Sequence, residues 1–288
     1  MKKQIKRLIP FLLVIMAFKL QGGGQEYPVS TIPDALTRNA KAVVRKANIQ
    51  FELLDVNRAI QHENYVITIL NENGLDLSQL VFPYNDNKRI DNIKVKIYDS
   101  GGKLVKRISA DEIRTYSAVP SYALYTDLKY KYADPKYQTT PFTIEYSCTI
   151  TYKGLFNYPE WDPYLGQFNI SVEQAEFTFK DITGIGFREK HRNLQDDIIV
   201  QRMANDKMVY YRANNLKALK KEAYHPGINT IGPMVLFAPV KFKIGDFEGS
   251  MDSWNSFGVW YEKLNQTENK LPDETILDVL ELGKKANT

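Results

Sequence analysis

The spacing of apolar residues changes near the end of the chain, and this change limits the folds that the chain can adopt. From Gln25 to about Ile244, apolar residues recur mostly at every second position, which is typical of half-buried β-strands. From Ser250 onward they recur at every third or fourth position, as in amphipathic helices. The sequence therefore predicts a mainly β body followed by a short helical segment.

Short runs rich in Val, Ile, Tyr and Phe, separated by turn residues, predict the strands of this body. Residues 99–102 form a tight-turn motif that joins two strands into a hairpin, and the mixed faces after Ile170 predict a bulge or twist. Many short strands without helical periods between them indicate an antiparallel β-sandwich, either one large or two consecutive sandwiches. The predicted strands are residues 42–54, 65–70, 92–98, 104–108, 142–153, 170–179, 198–203, 208–211 and 240–244.

The first 24 residues have the features of a cleaved secretory signal. Four basic residues precede residue 8, an almost wholly apolar run covers residues 8–18, and three glycines precede Gln25. The apolar run is too short to cross a bilayer and no cysteine follows it, so we expect neither a transmembrane nor a lipid anchor after cleavage. We therefore expect a periplasmic or secreted protein.

Removal of this segment changes the charge balance of the chain. The whole sequence has 38 Lys and Arg against 34 Asp and Glu, and five of the basic residues but none of the acidic ones precede Gln25. The expected mature chain therefore has a net charge of about −1, which is not typical of a protein that binds nucleic acid or an anionic membrane.

The chain has one cysteine and three histidines, and none of them lies in a pattern typical of catalysis or metal binding. Cys148 lies in the middle of the predicted strand 142–153, on the face of its apolar residues, whereas a nucleophilic thiol needs a lowered pKa. His62, His191 and His225 are far apart in the sequence, and no two have the spacing of zinc ligands. We expect no internal disulfide, no metal and no other cofactor, and a structural role for Cys148.

An aromatic loop, residues 156–164 with the sequence FNYPEWDPY, permits three interpretations. The rings of Tyr158, Trp161 and Tyr164 could close the edge of the core, or they could contact a ligand or partner such as a peptide or a glycan. Glu160 and Asp162 could instead be the carboxylates of a hydrolase, although residues two apart in a Pro-rich loop rarely hold the separation that glycoside hydrolysis requires. Tyrosines between residues 116 and 137 form a second aromatic-rich region, which is more typical of a packed crossover than of a binding groove.

The helical tail presents one aromatic face. Ser250 can cap a first helix, and Pro272 suits the first turn of a second helix that ends near Gly283. We expect the aromatic face to dock either on the β body or on a further domain, because an exposed apolar face of this kind promotes aggregation. The residues of this face are Trp254, Phe257, Tyr261 and Leu264.

Several sequence elements in order resemble the DUF3857 domain of secreted Bacteroidetes-type proteins. They are AKAVV at residues 40–44, the strand at 65–70 with Gly74 after it, IKVKIYDSGGK at 93–103, YTD at 125–127 and FTIEY at 142–146. The resemblance covers roughly residues 32–244. In that family the domain commonly precedes a transglutaminase-like domain of the papain-related Cys-His-Asp type, and residues 253–261 and 271–275 resemble the start of such a domain.

The basic and apolar pattern places the signal peptide at 1–24. The resemblance implies a DUF3857-like β-sandwich domain at 25–246 and the helical start of a truncated transglutaminase-like domain at 247–288. No position here matches that domain's catalytic cysteine, histidine or aspartate, so no catalytic residue is assigned and we expect no enzymatic activity. The expected function is that of an exported, non-catalytic accessory or binding domain that contacts a peptide, a glycan or a transglutaminase-like domain. The alternatives are a carboxylate-dependent hydrolase, half of a catalytic unit that another chain completes, and a structural protein whose tail is an assembly surface.

Overall fold

The computed structural model describes residues 26–117, 126–203, 205, 207–268 and 272–286, and the predicted signal segment lies outside them. Strands account for 47% and helices for 19% of the structure, so the prediction of a mainly β fold with a short C-terminal helical segment is confirmed. The strands are β1 (Ala42–Leu53), β2 (Arg58–Ile69), β3 (Leu80–Tyr84), β4 (Lys88–Tyr98), β5 (Leu104–Ile108), β6 (Arg114–Ser117), β7 (Lys129–Ala133), β8 (Phe142–Lys153), β9 (Ile170–Asp181), β10 (Phe187–Arg192), β11 (Ile199–Met203), β12 (Met208–Leu216), β13 (Met234–Pro239), β14 (Lys241–Ile244) and β15 (Phe247–Ser250). The α-helices are α1 (Asp34–Thr37), α2 (Ile228–Ile231), α3 (Trp254–Glu268) and α4 (Asp273–Ala286).

One large sheet of eight strands organises the molecule. Its strand order is β11-β12-β9-β1-β2-β8-β4-β5. All neighbours are antiparallel except β1 and β9, which form a parallel pair at the centre of the sheet. Parallel neighbours need a crossover connection, and the whole segment from β2 to β8 supplies it. The alternation of apolar and polar residues along a strand does not show whether its neighbour is parallel or antiparallel. The sequence therefore predicted only antiparallel pairs.

Two smaller sheets cover the inner face of the large sheet and complete a two-layer arrangement. One consists of β10 and β13, and the other of β3, β7 and β6. Phe237 of β13 stacks on Phe177 and Phe179 of β9, with ring centroids 5.0 and 5.2 Å apart. Phe82 of β3 meets the ring of Tyr146 of β8 at 5.9 Å. The main hydrophobic core therefore lies between the large sheet and these two small sheets.

The hairpin predicted at residues 99–102 is present between β4 and β5. The carboxylate of Asp99 accepts hydrogen bonds from the amides of Gly101 at 3.0 Å and Lys103 at 2.9 Å. Gly102 has a φ of 85°, and a Cβ at this position would lie 2.7 Å from the carbonyl oxygen of Glu26. The turn therefore requires glycine both for its backbone conformation and for the close approach of the N-terminal segment.

The irregularity predicted after Ile170 is also present. The core-facing residues of β9 are even-numbered up to Val172 and odd-numbered from Ala175 onward, and β1 carries a bulge beside this point. The guanidinium of Arg45 pairs with the Glu173 carboxylate here. Because both strands shift together, their parallel register is the same before and after the irregularity.

The hairpin β14–β15 leads into the C-terminal helices. The hydroxyl of Ser253 accepts a hydrogen bond from the amide of Ser256 at 3.0 Å, so Ser253 caps α3. The prediction that Ser250 caps this helix is wrong, because its hydroxyl accepts a hydrogen bond from the Asp252 amide in the preceding turn, at 3.1 Å. None of the helices in the described ranges is long and apolar enough to cross a membrane.

Candidate functional site

The three aromatic residues of the 156–164 loop point into the core. Trp161 is 1% exposed and packs on Tyr211 with ring centroids 5.5 Å apart, while Tyr158 and Tyr164 are also buried. The backbone of Trp161 exchanges two hydrogen bonds with Val235 of β13, at 2.9 and 3.0 Å. Of the three interpretations of this loop, closure of the core edge fits the structure, because the rings of Tyr158, Trp161 and Tyr164 are buried and contact the interior instead of a ligand.

The two carboxylates of this loop have different surroundings. Glu160 is exposed, whereas Asp162 is half-buried and directs its two oxygens to the amides of Tyr164 at 2.8 Å and Gly166 at 2.7 Å. Burial raises the pKa of Asp162, and these two hydrogen bonds oppose the rise. Asp162 therefore organises the loop that follows Trp161.

The second aromatic-rich region supplies β6 and β7 of the three-stranded sheet. Tyr116 and Tyr132 lie edge to face with ring centroids 6.3 Å apart, and Tyr137 packs on the buried Phe142. The tyrosines at 122 and 125 lie outside the described residues. The described part of this region therefore belongs to the second layer of the fold.

The single thiol faces the interior of the large sheet. Cys148 is buried on the inner face of β8, and its Sγ lies 3.6 Å from Oε2 of Glu63 on β2. Burial raises the pKa of the Cys148 thiol, and the neighbouring carboxylate raises it further. A nucleophilic cysteine needs the opposite shift, so this thiol lacks the electrostatic surroundings of a catalytic residue.

The three histidines have separate partners. His62 contacts the Thr149 hydroxyl at 3.3 Å on the outer face, and His191 lies 2.9 Å from the hydroxyl of Tyr211. The ring of His225 meets that of Phe168. Within the part of the chain that the structure describes, no group of three or more His, Cys, Asp or Glu is placed to hold a metal ion.

Helix α3 docks on the β14–β15 hairpin through a cluster of aromatic rings. Trp260 is 6% exposed and contacts Phe156 at 5.7 Å, Phe242 at 4.8 Å and Phe257 at 5.5 Å between ring centroids. Gly249 of β15 makes room for the indole, because a Cβ there would lie 2.7 Å from Cγ of Trp260. The packing of this helix therefore depends on a glycine in the facing strand.

The buried face of α3 differs from the face that the sequence suggested. Trp254 and Tyr261 are 90% and 55% exposed, so these two residues do not dock on the β body, and their docking on a further domain stays a prediction. Phe257 and Leu264 are half-buried, and Trp260 lies between them at helical spacing. The docked stripe is therefore Phe257, Trp260 and Leu264, and the glycine opposite Trp260 is the signal that would have identified it.

An apolar groove remains open beside this docked helix. It has a volume of about 490 Å³ and is lined by Phe156, Phe257, Met251 and Trp254. Arg188 forms one edge of the groove, where it donates a hydrogen bond to the carbonyl of Met251 at 2.6 Å and pairs with a neighbouring aspartate. Trp254 therefore stands in solvent on the rim of an apolar groove.

Helix α4 exposes large apolar side chains as well. Leu277 is 66% exposed, and Ile276, Val279, Leu280 and Leu282 are each at least 40% exposed. Exposed apolar side chains of this kind mark interaction sites in soluble proteins. We refer to the groove, Trp254 and these α4 residues together as the C-terminal docking surface.

Solved structures show what this fold is similar to. A protein from Parabacteroides distasonis with a provisional designation as a protease is 16% identical, with a TM-score of 0.56 over 69% of this chain. This chain spans 40% of the length of that protein, and the likeness shows a shared fold. An M1 zinc metallopeptidase from Deinococcus radiodurans is 8% identical (TM-score 0.33, 73% of this chain and 46% of that one). Native yeast LTA4 hydrolase is 5% identical, with a TM-score of 0.34 over 79% of this chain and 34% of that protein. Neither this similarity nor the one to the metallopeptidase is close enough to support a conclusion.

More than half of the chain matches the model of one protein family. None of the curated proteins compared with the chain matches it. Residues 56–220 match DUF3857, a domain of unknown function with a solved structure, and this match covers more than half of the 288 residues. The matched range runs from just before β2 through β12 and so contains most of the large sheet. The chain therefore belongs to the DUF3857 family.

Proposed function

We propose that this protein is an exported, non-catalytic accessory domain whose C-terminal docking surface binds a transglutaminase-like domain. The observation that carries the proposal is the exposed apolar surface of the two C-terminal helices, with Trp254 at 90% and Leu277 at 66% exposure. A folded partner domain that covered these side chains would gain roughly 25 cal/mol for each Å² of apolar surface removed from water.

The identity of the proposed partner is supported by the sequence of the same helices. Residues 253–261 and 271–275 resemble the start of a transglutaminase-like domain, and they contain or flank the exposed residues of the surface. Export is supported by the basic and apolar pattern of residues 1–24. A peptide or glycan contact through the 156–164 loop is not part of the proposal, because its three aromatic side chains are buried.

The absence of catalysis is supported by the surroundings of the candidate groups. The Cys148 thiol is buried beside a carboxylate that disfavours its ionisation. Asp162 uses its oxygens to hold its own loop. A hydrolase needs a nucleophile or an activated water with a base in reach, and neither group is arranged in this way.

The test of docking begins with the DNA directly downstream of codon 288. A reading frame there for a domain with cysteine, histidine and aspartate supplies the partner, which is then purified and mixed with residues 25–288. Analytical ultracentrifugation should detect a complex, and Trp254→Ser or Leu277→Ser should weaken it at least tenfold, which corresponds to about 1.4 kcal/mol. The matched control is Val200→Ser on β11, because Val200 is 40% exposed but lies outside the surface.

Two results would contradict docking. One is the lack of any transglutaminase-like domain encoded beside this chain, and the other is an affinity that the Trp254 and Leu277 substitutions leave unchanged. The non-catalytic part is tested separately with peptide, isopeptide and glycoside substrates. Hydrolysis that survives repurification and is lost in Glu160→Gln or Asp162→Asn would make the hydrolase alternative correct.

A further inference from the structure

A second opening lies between β3 and the inner face of the large sheet. This cleft has a volume of about 410 Å³, which is within the range of small-molecule sites. Glu63 of β2 and Tyr146 and Ile150 of β8 form its floor. The segment around Phe82 covers it from one side, and Leu165 covers it from the other.

The carboxylate of Glu63 occupies an apolar position of the sheet. Its neighbours on the same face of β2 are Gln61 and Tyr65, and it pairs across the strands with Cys148. Oε1 accepts a hydrogen bond from Nε2 of Gln61 at 2.5 Å, and Oε2 lies 3.6 Å from the Cys148 thiol. Among the residues that the structure describes, no Lys, Arg or His lies within ion-pair distance of this carboxylate.

This arrangement costs stability. Burial raises the pKa of Glu63, because a carboxylate on an apolar surface loses hydration that two neutral partners replace only in part. A leucine or glutamine at this position would avoid that cost. The side chain is half-buried, and it lines the cleft.

A positive charge lines the same cleft. Lys88 is at the start of β4, and its Nζ lies 5.9 Å from the centre of the Tyr152 ring. Burial lowers the pKa of Lys88, and the Glu63 charge opposes this shift, so the two groups sense each other. They do not form an ion pair, and each has hydrogen-bonding capacity left for a ligand.

We infer that this cleft binds a small zwitterion with an apolar side chain, namely an amino acid or a dipeptide. Its ammonium group would bind the Glu63 carboxylate and its carboxylate would bind the Lys88 ammonium, while its side chain packs on Tyr146 and Ile150. Each contact would supply the missing counter-charge of a partly buried group, and charge-assisted hydrogen bonds are the stronger class. This inference goes beyond the proposed docking function and does not depend on it.

The test uses four probes of one side-chain shape. L-leucine and leucyl-leucine carry both charges, 3-methylbutylamine carries only the amine, and 4-methylpentanoate carries only the carboxylate. Each is titrated into residues 25–288 by isothermal calorimetry and by amide NMR. At least one zwitterion should bind tenfold tighter than both singly charged probes, with shifts at the amides of Glu63 and Phe82 and none at Trp254.

Substitutions assign the two charges. Glu63→Gln should weaken the zwitterion and the amine at least tenfold and leave the carboxylate probe unchanged. Lys88→Met should weaken the zwitterion and the carboxylate probe at least tenfold and leave the amine unchanged. The matched control is Glu52→Gln, because Glu52 pairs with Lys180 outside the cleft. Circular dichroism confirms that the variants are folded. The inference is overturned if neither zwitterion binds at millimolar concentration, if the amine alone binds as tightly, or if both cleft variants bind like the unchanged protein.

Discussion

Replacing Trp260 with alanine should detach α3 from the β14–β15 hairpin and leave the large sheet folded. The indole is buried against three aromatic rings, and removal of a buried Trp side chain costs about 3–5 kcal/mol. The indole Nε1 is buried with no hydrogen-bond partner among the described residues, and loss of this unsatisfied donor offsets about 1–2 kcal/mol of that cost. The net loss therefore lies between about 1 and 4 kcal/mol, and we expect a value in the middle of this range, about 2–3 kcal/mol, in the docking of α3.

Hydrogen exchange measures this loss locally. A docking free energy lower by 2–3 kcal/mol should reduce amide protection in residues 254–268 by roughly 30- to 140-fold, because about 1.4 kcal/mol corresponds to a factor of ten. Amides of β8 should keep their protection, since this strand lies inside the large sheet between β2 and β4.

Two controls separate the indole from the helix itself. Trp260→Phe keeps an aromatic ring and removes the unsatisfied donor, so it should retain most of the protection. Trp254→Ala removes an exposed ring and should change stability by less than about 0.5 kcal/mol. The reasoning is refuted if α3 is equally protected with alanine at 260, or if the substitution at Trp254 reduces protection as much.

Three further outcomes are expected. Gly249→Ala should also release α3, because the added Cβ would lie 2.5 Å from Cζ of Phe242, and hydrogen exchange of α3 checks this. Cys148→Ala should cost about 1 kcal/mol through a small cavity, and in the native protein a thiol reagent should label Cys148 slowly; rapid labelling would show that the thiol is accessible. Glu63→Gln should raise the free energy of unfolding at neutral pH, because the pKa of Glu63 is higher in the folded than in the unfolded chain and its ionisation opposes folding. This gain in stability should disappear below the ordinary glutamate pKa. Urea titrations at both pH values measure it, and a gain that did not depend on pH would contradict the prediction.

The parts of the fold that the sequence predicts well are those that local residues determine. The β4–β5 hairpin follows from an aspartate that binds two turn amides and from a glycine with positive φ. Strand β8 has the regular alternation of a strand with one face in the core. Strands β3 and β13 were missed because each contains a proline, at Pro83 and Pro239, and both lie at the edges of small sheets where proline is tolerated.

The candidate sites were harder to predict because they depend on contacts between distant segments. Helical spacing alone permits several faces of α3, and the space above Gly249 selects the one with Trp260. Strand β2 was predicted to begin at Tyr65, although it begins at Arg58, since Gln61 and Glu63 interrupt its apolar alternation. A charged residue in the apolar register of a strand is therefore the sequence signal for the cleft.

The C-terminal docking surface and the cleft depart in opposite ways from the usual burial of apolar and exposure of charged side chains. This difference limits what can bind to each of them. The C-terminal docking surface leaves large apolar side chains of two helices in water, and a macromolecular surface is large enough to cover them. The cleft instead holds a carboxylate among apolar residues, and a small ion can complete its hydrogen bonding without moving the sheet. Natural sequences are locally consistent except where function requires otherwise, so the two exceptions support the proposals of a small-molecule site in the cleft and a docking surface at the C-terminal end.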